Sequence, residues 1–123
     1  MAGPKKFRPD WWACAVGERI AWIRDEAGLS QPQLGELLGC SQQLISDYET
    51  GNRDADPYLL SVMCARFKVT MDYFFRGEIS GCDPILARRL LTRHPELATM
   101  HADMGRHMDN ILSLGRARIS NPR

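Results

Sequence analysis

The chain has 123 residues, of which 25% are charged and 44% hydrophobic, with a formal net charge of +1. This suits one small globular core with extensions, and no uncharged apolar run approaches the length of a membrane span. Cys14, Cys40, Cys64 and Cys82 are too widely and unequally spaced for a C-x-x-C metal pair or a small secreted disulfide scaffold. Reduced thiols in a cytoplasmic protein are therefore expected. Helix-favouring residues dominate and β-branched runs are few, so the expected fold class is all-α.

Residues 1–9 carry Pro4, Pro9 and the cations Lys5, Lys6 and Arg8 but no apolar h-region. This composition predicts a basic arm, and two uses stand open for it: following a DNA groove or solvating the chain. Asp10 is then read as the cap of a long first helix ending at Gly28. Trp12, Val16, Ile20, Ile23 and Ala27 recur along one face of it. Trp11, Ala15 and Trp22 fall on a neighbouring face. Trp22 is larger and more apolar than a solvent position needs, so the C-terminal region or a second subunit is expected to cover it.

The stretch from Gly28 to Gly51 reads as two short helices around a tight turn. Ser30 caps the first, Pro32 sits in its first turn, where a missing N–H costs nothing, and Leu34, Leu37 and Leu38 form its apolar face before Gly39. Ser41 caps the second, which runs from Gln42 to about Thr50 with Ile45 and Tyr48 inward, and Gly51 closes it. Such a pair is the helix-turn-helix pattern, whose second helix enters the DNA major groove.

Asp56 with Pro57 starts a further helix through Phe67, with Leu59, Leu60, Met63, Cys64 and Phe67 on its apolar face. Thr70 caps a short helix from Met71 to Arg76, where Phe74 and Phe75 close the core. Asp83-Pro84 opens a helical run through Ile85, Leu86, Leu90 and Leu91, broken at His94-Pro95. A last helix is expected from about Pro95 to Leu114. Leu97, Met100, Met104, Ile111 and Leu114, with His107 at the one polar place, fall at alternating steps of three and four, a possible dimer seam, with packing against Trp22 of the same subunit as the competing use.

Several ordered matches carry a family resemblance: Gly17-Glu18-Arg19-Ile20, Gly28-Leu29-Ser30-Gln31, Leu38-Gly39-Cys40-Ser41, the run Ile45 to Gly51, and the run Val69 to Gly77. Over residues 17–78 the chain resembles the Cro and lambda-repressor-like (XRE) group of bacterial and phage regulators. The resemblance implies a five-helix DNA-binding domain, here with an extended first helix and a C-terminal helical extension. The expected division is an arm over 1–9, the domain over 10–78 and the extension over 79–123.

The resemblance also implies site roles. Gln42, Gln43 and Asp47 occupy the places of base contacts. A glutamine amide matches adenine N6 and N7, and a carboxylate accepts from a cytosine amino group; Leu44 beside them suits a thymine methyl. Phosphate contacts are implied for Gln31, Ser41, Thr50, Asn52 and Arg53, with Gln31 also bracing Gln42. Arg24 and Glu49 are implied as a buried ion pair. The loop after the second helix departs from the family's more basic pattern, because Asp54 and Asp56 accompany the single Arg53.

Charge qualifies this reading. Over 17–78, six basic residues against ten acidic ones leave −4, so the cations that phosphate binding needs come largely from the arm and from the arginine-rich C-terminal third. The expected function is a sequence-specific transcriptional regulator, a repressor that binds an inverted-repeat operator in double-stranded DNA as a homodimer. The alternative, supported by the acidic domain, is a protein-interaction module such as an autoregulating antitoxin, with a protein partner. No nucleophile elbow, P-loop, H-E-x-x-H or dinucleotide glycine pattern occurs, so neither an enzyme nor a cofactor is expected. His94, His101 and His107, at steps of seven and six, do not share one helical face, and no metal site is expected.

Overall fold

The computed structural model describes residues 9–98, and the expected arm cations Lys5, Lys6 and Arg8 and the seam residues Met100, Met104, Ile111 and Leu114 lie outside them. The described chain is all-helical: α1 (Trp12–Glu26), α2 (Gln31–Leu38), α3 (Gln42–Thr50), α4 (Pro57–Phe67), α5 (Met71–Arg76) and α6 (Pro84–Arg93).

Five of the six helices start at a side-chain cap. Ser30, Ser41, Asp56, Thr70 and Asp83 each accept a hydrogen bond from the backbone N–H three residues on, satisfying a donor that the first helical turn leaves orphaned. At α2 the exchange is reciprocal, since Gln33 Oε1 accepts from Ser30 N at 2.8 Å. The exception is α1, where Asp10 does not cap. Trp12 N bonds to Pro9 O at 3.1 Å, and Trp11 occupies the capping position in αR conformation without a side-chain bond. The chain is already coiled at 9–12, so the extended backbone that a capping carboxylate needs is absent there.

The core collects Val16, Ile20 and Ile23 from α1, Leu34 from α2, Ile45 and Tyr48 from α3, Leu60 and Met63 from α4, and Tyr73 and Phe74 from α5. Ala27, placed on the apolar face of the first helix by its spacing, is exposed because the helix has already ended at Glu26. Beyond the five-helix set, Cys82, Leu90 of α6 and Leu97 join the same core. The first described residue of the expected seam is thus 1% exposed within its own chain.

The approach of α1 to α3 is backbone against backbone. A Cβ on Gly17 would lie 2.2 Å from Tyr48 O and 2.6 Å from Glu49 O, so only glycine permits this crossing. At the same crossing Glu49 joins three helices. Its carboxylate accepts from Arg24 Nε at 2.7 Å and Arg24 Nη2 at 3.0 Å, both on α1, and from Gln31 Nε2 on α2 at 3.0 Å. Arg24 Nη1 donates in turn to Leu29 O at 2.9 Å. The side chains of Arg24 and Glu49 are 16% and 7% exposed, and the bond to Glu49 holds the guanidinium pKa above its ordinary value.

A second link ties α1 to α5. Tyr73 Oη donates to Arg19 O at 2.7 Å, while the buried Arg19 donates Nη1 to Phe74 O at 2.9 Å and leaves Nε without a hydrogen bond. Burial pushes the Tyr73 phenol up and the Arg19 guanidinium down, so the tyrosine stays a neutral donor. Trp22 is covered from the C-terminal side: the His94 ring stacks on it with centroids 4.1 Å apart and planes 14° apart. His94 is thus a packed ring.

Two outcomes follow for stability. Gly17→Ala drives a methyl into two carbonyl oxygens, so thermal unfolding should show a melting temperature lower by more than about 10 °C, the equivalent of roughly 2–3 kcal/mol for a domain this size. Glu49→Ala takes from the largely enclosed Arg24 its two-bond partner and leaves it only the exposed Asp25 carboxylate at 3.5 Å. A cost of about 3–5 kcal/mol is expected in denaturant unfolding, and an unchanged midpoint would remove Glu49 from the role given to it here.

Candidate nucleic-acid interface

The second helix of the motif is short, nine residues, and its faces divide sharply. Ile45 and Tyr48 are buried, while Gln42 and Gln43 at its start are exposed. Ser41 Oγ accepts from Leu44 N at 3.1 Å, which fixes where the helix begins and so where the two glutamines project. Gly39 at φ +77° and Gly51 at φ +81° take the left-handed conformation that ends α2 and α3 within one residue each. The turn between the helices is held close as well, since a Cβ on Gly35 would meet Cys40 O at 2.6 Å.

The four expected base-contact residues do not behave alike. Gln42 is exposed and no hydrogen bond is seen from its side chain among the described residues. Gln43 Nε2 donates to Asp47 Oδ1, one turn along, at 3.0 Å. Asp47 is half-buried, and its backbone carbonyl accepts from Arg53 N at 3.2 Å, tying the following loop to the helix. Leu44 is half-buried and packs against the core, so only part of its side chain faces outward.

The expected phosphate contacts divide in the same way. Gln31 donates to Glu49, and no bond joins it to Gln42. The expected brace between the two glutamines is therefore replaced by one to the buried carboxylate, an ionised and hence stronger acceptor. Thr50 Oγ1 donates to Ser46 O at 3.0 Å and Asp47 O at 3.3 Å, which leaves it lone pairs but no free proton. Ser41 Oγ is occupied only as an acceptor, so its hydroxyl proton remains available to a phosphate oxygen. Asn52 and Arg53 are exposed in the loop after α3.

Reasoning from sequence alone missed Gln31 as a partner of Glu49. Its position in the first turn of α2 was visible, but the convergence of α1, α2 and α3 on one carboxylate was not. It also treated Gln43 and Asp47 as separate contacts, although their spacing of four is the signal for a side-chain pair.

Cys14 is exposed, and its Sγ donates to Thr50 O at 3.5 Å. Among the described residues no cysteine forms a disulfide, and burial pushes the Cys40, Cys64 and Cys82 thiols up, away from the reactive thiolate form. Among these residues no group of three or more His, Cys, Asp or Glu side chains is placed to hold a metal ion, and no helix is long and apolar enough to cross a membrane.

Comparison with known proteins agrees with the geometry. Residues 15–72 match the family described as a helix-turn-helix domain. Two curated relatives, each named an uncharacterized HTH-type transcriptional regulator, come from Sinorhizobium medicae (strain WSM419) and Rhizobium meliloti (strain 1021). Each is 33% identical over 85 residues, which is 67% of this chain and 61% of the relative. The chain thus spans about three-fifths of their length. No solved structure matches. The two capped helices around a left-handed glycine turn lie within the residues that match the helix-turn-helix family.

Proposed function

We propose that the chain is a DNA-binding transcriptional regulator, a repressor that binds double-stranded DNA as a homodimer and reads an inverted-repeat operator through α3. The observation that carries this reading is the exposed pair Gln42 and Gln43 at the start of a helix whose other face is buried and whose last turn is clamped by Arg24 and Gln31. A rigidly mounted helix with polar groups at its start has the form of a major-groove reader, and glutamine suits adenine. Ser41, Asn52 and Arg53 hold phosphates around it, with Gln31 and Thr50 at the edges of the contact. Lys5, Lys6 and Arg8 of the arm add cations. The domain division at about residues 9 and 78 belongs to the same reading, as do a cytoplasmic location and the absence of catalysis or a cofactor.

The second reading is a protein-interaction module of the antitoxin kind. The charge of −4 over 17–78 favours it, because phosphate neutralisation supplies most non-specific DNA affinity. Repeated selection from random-sequence DNA at two salt concentrations separates the two. An enriched palindrome that disappears in Gln42→Ala/Gln43→Ala, with salt-sensitive residual binding retained, is the expected result; no enrichment by folded protein moves the assignment to the partner protein. On the selected site, Arg53→Ala should weaken binding at every sequence and lower the slope of log affinity against log salt by about 0.9.

A further inference from the structure

The outward surface of α3 carries no lysine or arginine anywhere from Gln42 to Thr50. Its polar groups are two amides, hydroxyls and the Asp47 carboxylate, so the helix lacks the cationic fork that most often reads guanine O6 and N7. Asp47 adds negative charge beside Gln43, which disfavours the two-acceptor edge of guanine further.

The bond from Gln43 Nε2 to Asp47 Oδ1, at 3.0 Å, does more than cap a polar surface. A free glutamine amide has two orientations, related by a half-turn about its last torsion, and they exchange the donor and acceptor positions. An ionised carboxylate only accepts. With Asp47 on one side, the Gln43 nitrogen must face it and Oε1 must point the other way. One Nε2 hydrogen is used in this bond. The other lies on the same edge as Oε1, so the amide still offers one donor and one acceptor side by side, but in a single order. That pair complements adenine, which shows the N7 acceptor beside the N6 donor. A fixed order favours adenine on one strand over adenine on the other at that base pair.

Resting on the reading of α3 as a major-groove helix, we infer that Asp47 is a positioning residue for Gln43. It orients the Gln43 amide so that the half-site holds an adenine on one defined strand, and its charge keeps guanine from the adjoining edge. Asp47 is itself held: its carbonyl accepts from Arg53 N and Thr50 Oγ1, and its side chain is half-buried.

The test is DNA selection with full-length wild type, Gln43→Ala, Asp47→Ala and Asp47→Asn, each checked for an unchanged melting temperature. Gln43→Ala identifies the position that Gln43 reads. There the wild type should prefer adenine on one strand, and Asp47→Ala should lower the preference for A·T over T·A about tenfold. Asp47→Asn can donate as well as accept and carries no charge, so it should also lower the strand preference, and should admit guanine beside it. If Asp47→Ala melts lower, the nearly isosteric Asp47→Asn still decides, because a strand preference lost at an unchanged melting temperature requires the bracing role, and one retained overturns it. A Gln43-dependent position that is not adenine, or one unchanged in Asp47→Ala, overturns this inference and leaves the regulator reading standing. A folded wild type that selects no sequence overturns both.

Discussion

One carboxylate fixes the relation among the first three helices. Glu49 sits in the last turn of α3 and receives donors from α1 and α2 together, with Arg24 reaching on to the backbone at Leu29. Buried ion pairs add little net stability, because desolvation offsets most of the attraction, but they penalise every arrangement in which one partner is left alone. The bidentate geometry also restricts angle as well as distance. The glycine contact at Gly17 acts with it: close backbone approach brings the last turn of α3 to α1, and the carboxylate then has its donors within reach.

This clamp has consequences at the opposite end of α3. A nine-residue helix is barely two and a half turns, too short to hold its direction by its own hydrogen bonds. Anchored by Glu49 at its end, by Ile45 and Tyr48 along its inner face and by the Ser41 cap at its start, it presents Gln42 and Gln43 from a fixed frame. The polar face is then organised locally. Thr50 bonds back to the helix carbonyls, Gln43 bonds to Asp47, and the loop amide of Arg53 is tied to Asp47 O. Electrostatics pull the other way, since the domain is acidic and Arg53 is followed by Asp54 and by Asp56, which is engaged in capping α4.

The segment beyond the five-helix set is continuous with the core. Leu90 and Leu97 are fully buried, His94 stacks on Trp22, and Arg93 Nη1 lies 3.1 Å from Glu26 Oε2 as an ion pair without hydrogen-bond alignment. Apolar and aromatic contact therefore does most of the joining, and the Arg93 pair, 60% exposed on the arginine side, adds little. Trp22 is where this join was visible in advance, as an apolar ring with no place in the first helix's own stripe.

By itself the sequence determined what depends on neighbours within about four residues. Ser30, Ser41, Asp56, Thr70 and Asp83 start helices because a side-chain oxygen three residues before an orphan N–H satisfies it wherever the backbone at the cap is extended. Gly39 and Gly51 end helices because left-handed backbone costs them little, and the 3.6-residue period sorted Ile45 and Tyr48 inward from Gln42 and Gln43. The resemblance supplied the Arg24 and Glu49 pair. Tertiary structure alone decided the rest: that Gln31 serves Glu49 and not Gln42, that Leu44 is partly spent on the core, that His94 covers Trp22, and that α1 starts from a coiled turn and not from Asp10. Each of these is a choice among several chemically adequate partners. Such choices turn on where packed helices place side chains to within a fraction of an ångström, which no local pattern of residues encodes.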